Sequence, residues 1–148
     1  MSESKCIFCK IIAGTATVQN TDFLFESDDF VVFRDIRPAS KHHYLVVPKE
    51  HMSDSASLKE SDVDLVERMV AIGKEVLEKQ GADVSDNRMG FHWPPFHTVS
   101  HLHLHVISAQ NEMGWIARLI FKPNSFWFVT VDWLLNRLRN MNAESAKQ

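Results

Sequence analysis

The chain has few cysteines, no surplus of positive charge and no long apolar run, and each shortage removes a class of protein. Only Cys6 and Cys9 are cysteines, so no disulfide framework is expected. No window approaches the roughly 18 continuous apolar residues of a membrane-crossing helix. Lys and Arg number 16 against 19 Asp and Glu, a net charge of −3. That argues against a protein held to nucleic acid or to a membrane by bulk positive charge. The first residues show no basic segment followed by an apolar stretch, so no secretory signal is expected. The expected compartment is the reducing cytoplasm, extending to the nucleus. No internal repeat or low-complexity tract stands out.

What is present fits one globular domain. A length of 148 residues with 45% hydrophobic and 24% charged residues supports a core without staples. The unusual count is histidine. All eight lie between His42 and His105, and three of them fall at 101, 103 and 105.

The pattern along the chain is strands, then a helix, then strands, then a helical tail. Residues 22–26 and 29–35 are aromatic and β-branched and flank a Ser27-Asp28 turn, which reads as a hairpin. Residues 43–47 form a strand ended by Pro48. Residues 57–80 read as the main helix, with capping starts at Ser57 and Ser61 and an apolar stripe of Val63, Val66, Met69, Val70, Gly73, Val76 and Leu77. Gly81 suits its C-terminal cap. Residues 87–91 and 101–108 add two strands, with a loop at 93–96 between them. After Ala109 come a mixed apolar segment at 113–121, a turn at 122–125, a short apolar run at 126–129 and a last helix from Thr130, striped by Val131, Leu134, Leu135, Leu138 and Met141. The expected fold is α+β: a five-stranded, mainly antiparallel sheet, one long helix and a C-terminal helical tail. The core spans 6–108, the extension 109–141, and 142–148 reads as frayed.

Two constellations carry chemistry. Cys6-x-x-Cys9 has three readings: two small apolar residues, a redox pair, or half of a Cys₂His₂ zinc site. The redox reading is weak because residues 1–5 leave no room for a preceding strand. In the 101–108 strand, alternation puts His101, His103 and His105 on one face and Leu102, Leu104 and Val106 on the other. Each step of two residues is about 6.7 Å, so the outer rings stand about 13 Å apart. One metal cannot gather all three at bond lengths of about 2.0–2.1 Å. The rings therefore have different jobs, and mutual repulsion favours neutral imidazoles near pH 7. Neutral imidazole serves as a nucleophile and a proton carrier.

The run HLHLHVI at 101–107 resembles the alternating signature of the histidine triad superfamily. The segments CIFCKII at 6–12, FRDI at 33–36 and HYLVVPKEH at 43–51 resemble the other blocks of that family, in the same order. Residues 88–92 and 100–108 are most similar to its aprataxin-like subgroup within the Hint branch. The resemblance implies a hydrolase of adenosine 5′-monophosphoramidates, such as AMP-lysine, and of aminoacyl-adenylates, acting through a covalent nucleotidyl-histidine. In that reading His103 is the nucleophile, its second nitrogen held by a carbonyl near His101 or by His43. His105 contacts the phosphate and helps protonate the leaving group, Thr98 offers a hydroxyl, and His92 donates to phosphate. Asp35 takes the ribose hydroxyls, while Phe8, Ile11, Phe33 and Ile36 sandwich the purine. Catalysis needs no cofactor. A structural zinc on Cys6, Cys9, His51 and His101 is implied by relatives that carry the two cysteines. A homodimer joined through the long helix and a strand is implied as well. His42 and His97 receive no role, and the 92–98 loop departs from the glycine-rich loop of other Hint proteins.

Two alternatives stand beside this. One is removal of AMP from nucleic-acid ends, drawn from the 100–108 block and Lys122 but opposed by the charge of −3. The other is a zinc-stabilised nucleotide-binding protein without catalysis, its apolar tail offered to a partner or packed on its own sheet.

Overall fold

The computed structural model describes residues 5–14, 22–97 and 99–146, with side chains as far as Met141. Its elements are α1 (Ile7–Ala13), β1 (Phe25–Glu26), β2 (Phe30–Arg34), β3 (His42–Pro48), α2 (Val63–Lys79), β4 (Asn87–His92), β5 (Leu104–Ser108), α3 (Trp115–Ile120), β6 (Phe128–Thr130) and α4 (Val131–Ala146). The strands form one sheet in the order β1-β2-β3-β5-β4-β6, and every adjacent pair is antiparallel.

Alternation along the strands divides the core between two faces. Phe30, Val32, Tyr44, Val46, Leu104 and Val106 pack with the stripe of α2 and with Leu134 and Leu138 of α4. Each fully buried Leu of this set contributes about 1.5–3 kcal/mol. Gly73 lets α2 approach β5, because a Cβ there would stand 2.9 Å from Val106 Cγ2. On the opposite face Val31, Phe33, Leu45 and Val47 pack with Phe8 and Ile11 of α1. His43 and His105 belong to this second face.

The sheet has six strands among the described residues, not five. The sixth, β6, comes from the extension and pairs with β4 in the register Gly90↔Thr130, Phe91↔Val129 and His92↔Phe128. Gly90 permits this approach, since any Cβ there would run into the Val129 carbonyl and the Phe128 ring. The tail also adds a second long helix, α4, of 16 residues. Thr130 caps it, its Oγ1 accepting from Trp133 N–H at 3.2 Å. The extension is thus part of the core. It also covers the β4 edge, so a second copy cannot extend the sheet there.

Several boundaries differ from the sequence pattern, and local hydrogen bonds explain two of them. Helix α2 begins at Val63 rather than Ser57. Asp54 Oδ1 accepts from Ser57 N–H at 3.0 Å and Asp62 Oδ2 from Lys59 N–H at 2.8 Å, and these bonds hold 3₁₀ turns at Ser55–Ser57 and Glu60–Asp62. The helix ends as expected, with Gly81 left-handed at φ 77°. Strand β5 begins at Leu104 rather than His101. Leu102 N–H donates to the Met52 carbonyl at 2.6 Å instead of to the sheet.

Candidate active site and metal centre

Six of the eight histidines fall into two groups on one side of the sheet. His101, completely buried, turns toward the N-terminal helix. Cys6 caps that helix, its Sγ accepting from Cys9 N–H at 3.4 Å. His101 Nε2–H donates to the Pro48 carbonyl at 2.8 Å. Its Nδ1 therefore presents a lone pair, 3.3 Å from Cys6 Sγ and 3.4 Å from Cys9 Sγ. His51 Nδ1 lies 3.2 Å from Cys9 Sγ. The four ligand atoms of Cys6, Cys9, His51 and His101 lie within 4.8 Å of one another. Two sulfurs and two nitrogens at this spacing fit a tetrahedral zinc, and a carbonyl holding the far nitrogen of a ligating histidine is its usual orienting bond.

His103 and His105 face the other way along the same surface. His103 Nδ1–H donates to the His101 carbonyl at 2.7 Å. That bond fixes the tautomer and leaves a lone pair on Nε2. Burial pushes the His103 ring down to about 4, with the carbonyl bond opposing it.

A hydrogen-bond chain sets the next two rings. Ala39 N–H donates to His43 Nδ1 at 2.9 Å, so the neutral His43 carries its proton on Nε2. That proton points to His105 Nδ1 at 3.0 Å, with Asp35 Oδ2 at 3.4 Å beside it. His105 must then carry its own proton on Nε2, and this buried atom has no hydrogen-bond partner among the described residues. Burial pushes His43 down to about 3 and His105 well below the ordinary imidazole value. Of the two holders of His103 that the resemblance implies, the His101 carbonyl is the one bonded to it, and the His43 ring is bonded to His105. Asp35, His43 and His105 also cluster closely enough for a metal. The protonated Nε2 of His43 disqualifies it as a ligand.

These groups open onto a cleft of about 370 Å³, lined by Phe8, Ile11, Phe33, Asp35, Ile36, Val99, His103 and His105 among others. All four residues that the resemblance gives to the purine are on its wall. Ile36 sits at the rim, 69% exposed, while Phe8 and Phe33 are buried and meet edge to face. Asp35 Oδ1 accepts from Arg37 N–H at 2.8 Å. Burial raises its carboxyl above the usual range against that bond.

His92 ends β4 beside the triad, its ring 4.9 Å edge-on from that of His105. Its Nδ1–H donates to the Trp127 carbonyl at 3.2 Å, and burial lowers its pKa. Thr98 lies outside the described residues. His42 meets the Tyr44 hydroxyl at 2.6 Å, and His97 approaches Asp54 at 4.0 Å.

Sequence reasoning missed several contributors. Phe121 and Phe128 pack against His92 and His105, and the carbonyls of Pro48 and Trp127 and the Ala39 N–H set tautomers. The only sequence signal for the two aromatics was an apolar tail. Main-chain groups leave no signal at all.

An antiparallel sheet that sets a buried imidazole run beside an acid-lined cleft is the architecture of the histidine triad proteins, and the chain belongs to that family. The family model described as scavenger mRNA decapping enzyme C-term binding matches residues 5–120. The chain is 47% identical over 138 residues to adenosine 5′-monophosphoramidase HINT3 of Mus musculus, covering 93% of this chain and 83% of that protein. Among solved structures, a HIT family hydrolase of Legionella pneumophila matches with a TM-score of 0.64 and 29% identity, covering 75% of this chain and 97% of that one. A zinc-bound histidine triad protein of Mycobacterium smegmatis shares the fold, with a TM-score of 0.60, 22% identity and 99% coverage of both chains.

Proposed function

We propose that this protein hydrolyses adenosine 5′-monophosphoramidates, including AMP-lysine, and aminoacyl-adenylates. The carrying observation is the opposite tautomers of two adjacent buried rings. His103 faces the cleft with a lone pair on Nε2, because its Nδ1–H is 2.7 Å from the His101 carbonyl. His105 faces it with an Nε2–H that has no partner among the described residues. One ring is built to attack and the other to donate a hydrogen bond to the developing charge.

The purine lies between Phe8, Ile11, Phe33 and Ile36, and the Asp35 carboxylate accepts from the ribose hydroxyls. His103 Nε2 bonds the α-phosphorus. In an amide the phosphorus–nitrogen bond breaks, and the departing nitrogen keeps the electron pair and takes one proton from solvent; in an aminoacyl-adenylate the phosphorus–oxygen bond breaks and the carboxylate leaves with the electron pair. His105 Nε2–H, His92 and the Thr98 hydroxyl steer that charge by hydrogen bonding. A water then attacks phosphorus, leaves its hydroxyl on AMP and returns the proton. The His103–phosphorus bond breaks and the lone pair returns to Nε2.

Cys6, Cys9, His51 and His101 hold a structural zinc, which would tie the N-terminal helix to the catalytic segment. Four protein ligands leave no open position for substrate. The ligand spacing and the zinc-bound relative support this. The reading sets the protein in the cytoplasm and nucleus, as a homodimer. Because β6 covers the β4 edge, the two copies join elsewhere than by extending the sheet at β4.

The test is hydrolysis of an AMP-lysine amide by the purified chain and by His103→Ala. Wild type turns over and the variant loses at least about a thousandfold, as is usual when a nucleophile is removed. Equal rates would overturn the proposal.

A further inference from the structure

The two cysteines sit where the N-terminal helix meets the segment that carries His103. We propose that Cys6 and Cys9 are a reversible oxidation site: hydrogen peroxide joins them as a disulfide, which releases the zinc and disarms His103 until a thiol reduces the pair. The inference rests on the structural-zinc reading above, and its activity readout on the hydrolase reading.

Proximity and access are the first support. Both sulfurs lie against one nitrogen, 3.3 and 3.4 Å from His101 Nδ1, and within 4.8 Å of each other. Cys9 N–H reaches Cys6 Sγ at 3.4 Å, so one helical turn separates the two side chains. Cys6 is completely buried and Cys9 half-buried, so an oxidant meets Cys9 first. The chain has no other cysteine to divert the reaction.

The chemistry closes on these two residues. Cys9 Sγ attacks one peroxide oxygen. A sulfur–oxygen bond forms, the oxygen–oxygen bond breaks, and hydroxide leaves and takes a proton from solvent. Cys6 Sγ then attacks Cys9 Sγ. The sulfur–sulfur bond forms, the sulfur–oxygen bond breaks, and a second hydroxide leaves in the same way. Two thiolates give up two electrons and the peroxide becomes two waters. Thiolate is the ligating form of cysteine, so the disulfide removes two of the four metal ligands.

Coupling to the cleft is the third support. Without the cluster, the His101 ring keeps its bond to the Pro48 carbonyl but loses its tie to α1. The His101 carbonyl holds Nδ1–H of His103 at 2.7 Å, so movement there releases the tautomer of the nucleophile. Helix α1 has seven residues, too few to be stable alone. It carries Phe8 and Ile11 to the cleft wall, and the Phe8 ring stands 5.1 Å edge-on from that of His103.

The test treats the reduced, zinc-loaded full-length chain with hydrogen peroxide beside a chromogenic zinc chelator. Zinc release should keep step with loss of both thiols, and the peptide carrying Cys6 and Cys9 should become lighter by two hydrogens. With an AMP-lysine amide, kcat/KM should fall about tenfold or more, the scale of losing a second-shell contact. Dithiothreitol with added zinc should restore it. Dithiothreitol does not reverse methionine sulfoxide, which needs its own reductases, so recovery separates the pair from the six methionines. Cys6→Ser/Cys9→Ser should start low and lose nothing more to peroxide, and the wild-type recovery decides the matter if that variant does not fold. Thiols that survive while the methionines oxidise, a disulfide that leaves kcat/KM unchanged, or a loss that dithiothreitol and zinc do not restore overturns the oxidation site and leaves the zinc reading intact. A reduced chain that takes up no zinc overturns that reading and the site with it. A reduced chain without turnover overturns the hydrolase reading, and zinc release with peptide mass then decides the site.

Discussion

The His101 carbonyl lies 2.7 Å from Nδ1 of His103, so a residue whose ring belongs to the cysteine cluster also sets the tautomer of the proposed nucleophile. The two groups of histidines share one short stretch of backbone. Whatever fixes the His101 ring fixes that carbonyl too.

Loss of the metal ligands should therefore reach the catalytic site. Purified protein is expected to hold one zinc per chain by elemental analysis. Cys9→Ser should lose it and melt at least about 5 °C lower, an effect of roughly 2 kcal/mol for a domain of this size. Activity should fall as well, without any change to His103. Full activity in a zinc-free variant would separate the two groups.

Stability should fall as pH drops below about 6.5. The unfolded His43 takes a proton near that value, whereas the folded ring stays neutral down to about 3. The unfolded chain then binds more protons, so stability rises with pH across this window. One such ring gives about 1.4 kcal/mol per pH unit, and His103 and His105, also pushed down, act in the same direction. Urea unfolding at pH 5, 5.75 and 6.5 reads the slope, and His43→Asn should reduce it.

Asp35→Asn should discriminate between sugars. Loss of about tenfold in kcat/KM is expected with a ribonucleotide amide, and little loss with its 2′,3′-dideoxy counterpart, because only the first has hydroxyls for the carboxylate to accept from. Equal loss on both would move Asp35 to a role in holding His43, 3.4 Å away.

Gly90→Ala tests the sixth strand. A Cβ at this position meets the Val129 carbonyl and the Phe128 ring, so β6 must shift. The expected cost is about 1–3 kcal/mol in chemical denaturation, with the Phe128 packing against His92 disturbed.

Much of this site was readable in the sequence, and the limits have physical causes. Alternation at 101–106 showed that three rings share a face and cannot share one metal. The structure indeed sends His101 to the cysteines and His103 and His105 to the cleft. The strand's start was misplaced, because Leu102 N–H is spent on the Met52 carbonyl, and no residue pattern records that choice. The sixth strand was hidden for a related reason. Phe128–Thr130 is three residues long, too short for alternation to speak, and it exists because Gly90 makes room opposite. The holder of His103 was left open between the His101 carbonyl and the His43 ring; the bond goes to the carbonyl, and His43 turns to His105 because its tautomer depends on an Ala39 N–H that carries no side-chain signature. The stripes of α2 and α4 were plain, because burial of every third or fourth residue is written directly in residue type.

The most direct measurement is to mix the protein with an adenosine 5′-phosphoramidate, quench within the first turnover and map the adduct by mass spectrometry under conditions that preserve phosphohistidine. An AMP-sized addition on the peptide carrying His103, absent from His103→Ala and consumed on the timescale of turnover, is the expected result. Turnover with no adduct on that residue, or an adduct on His105, would contradict the assignment of His103 as nucleophile.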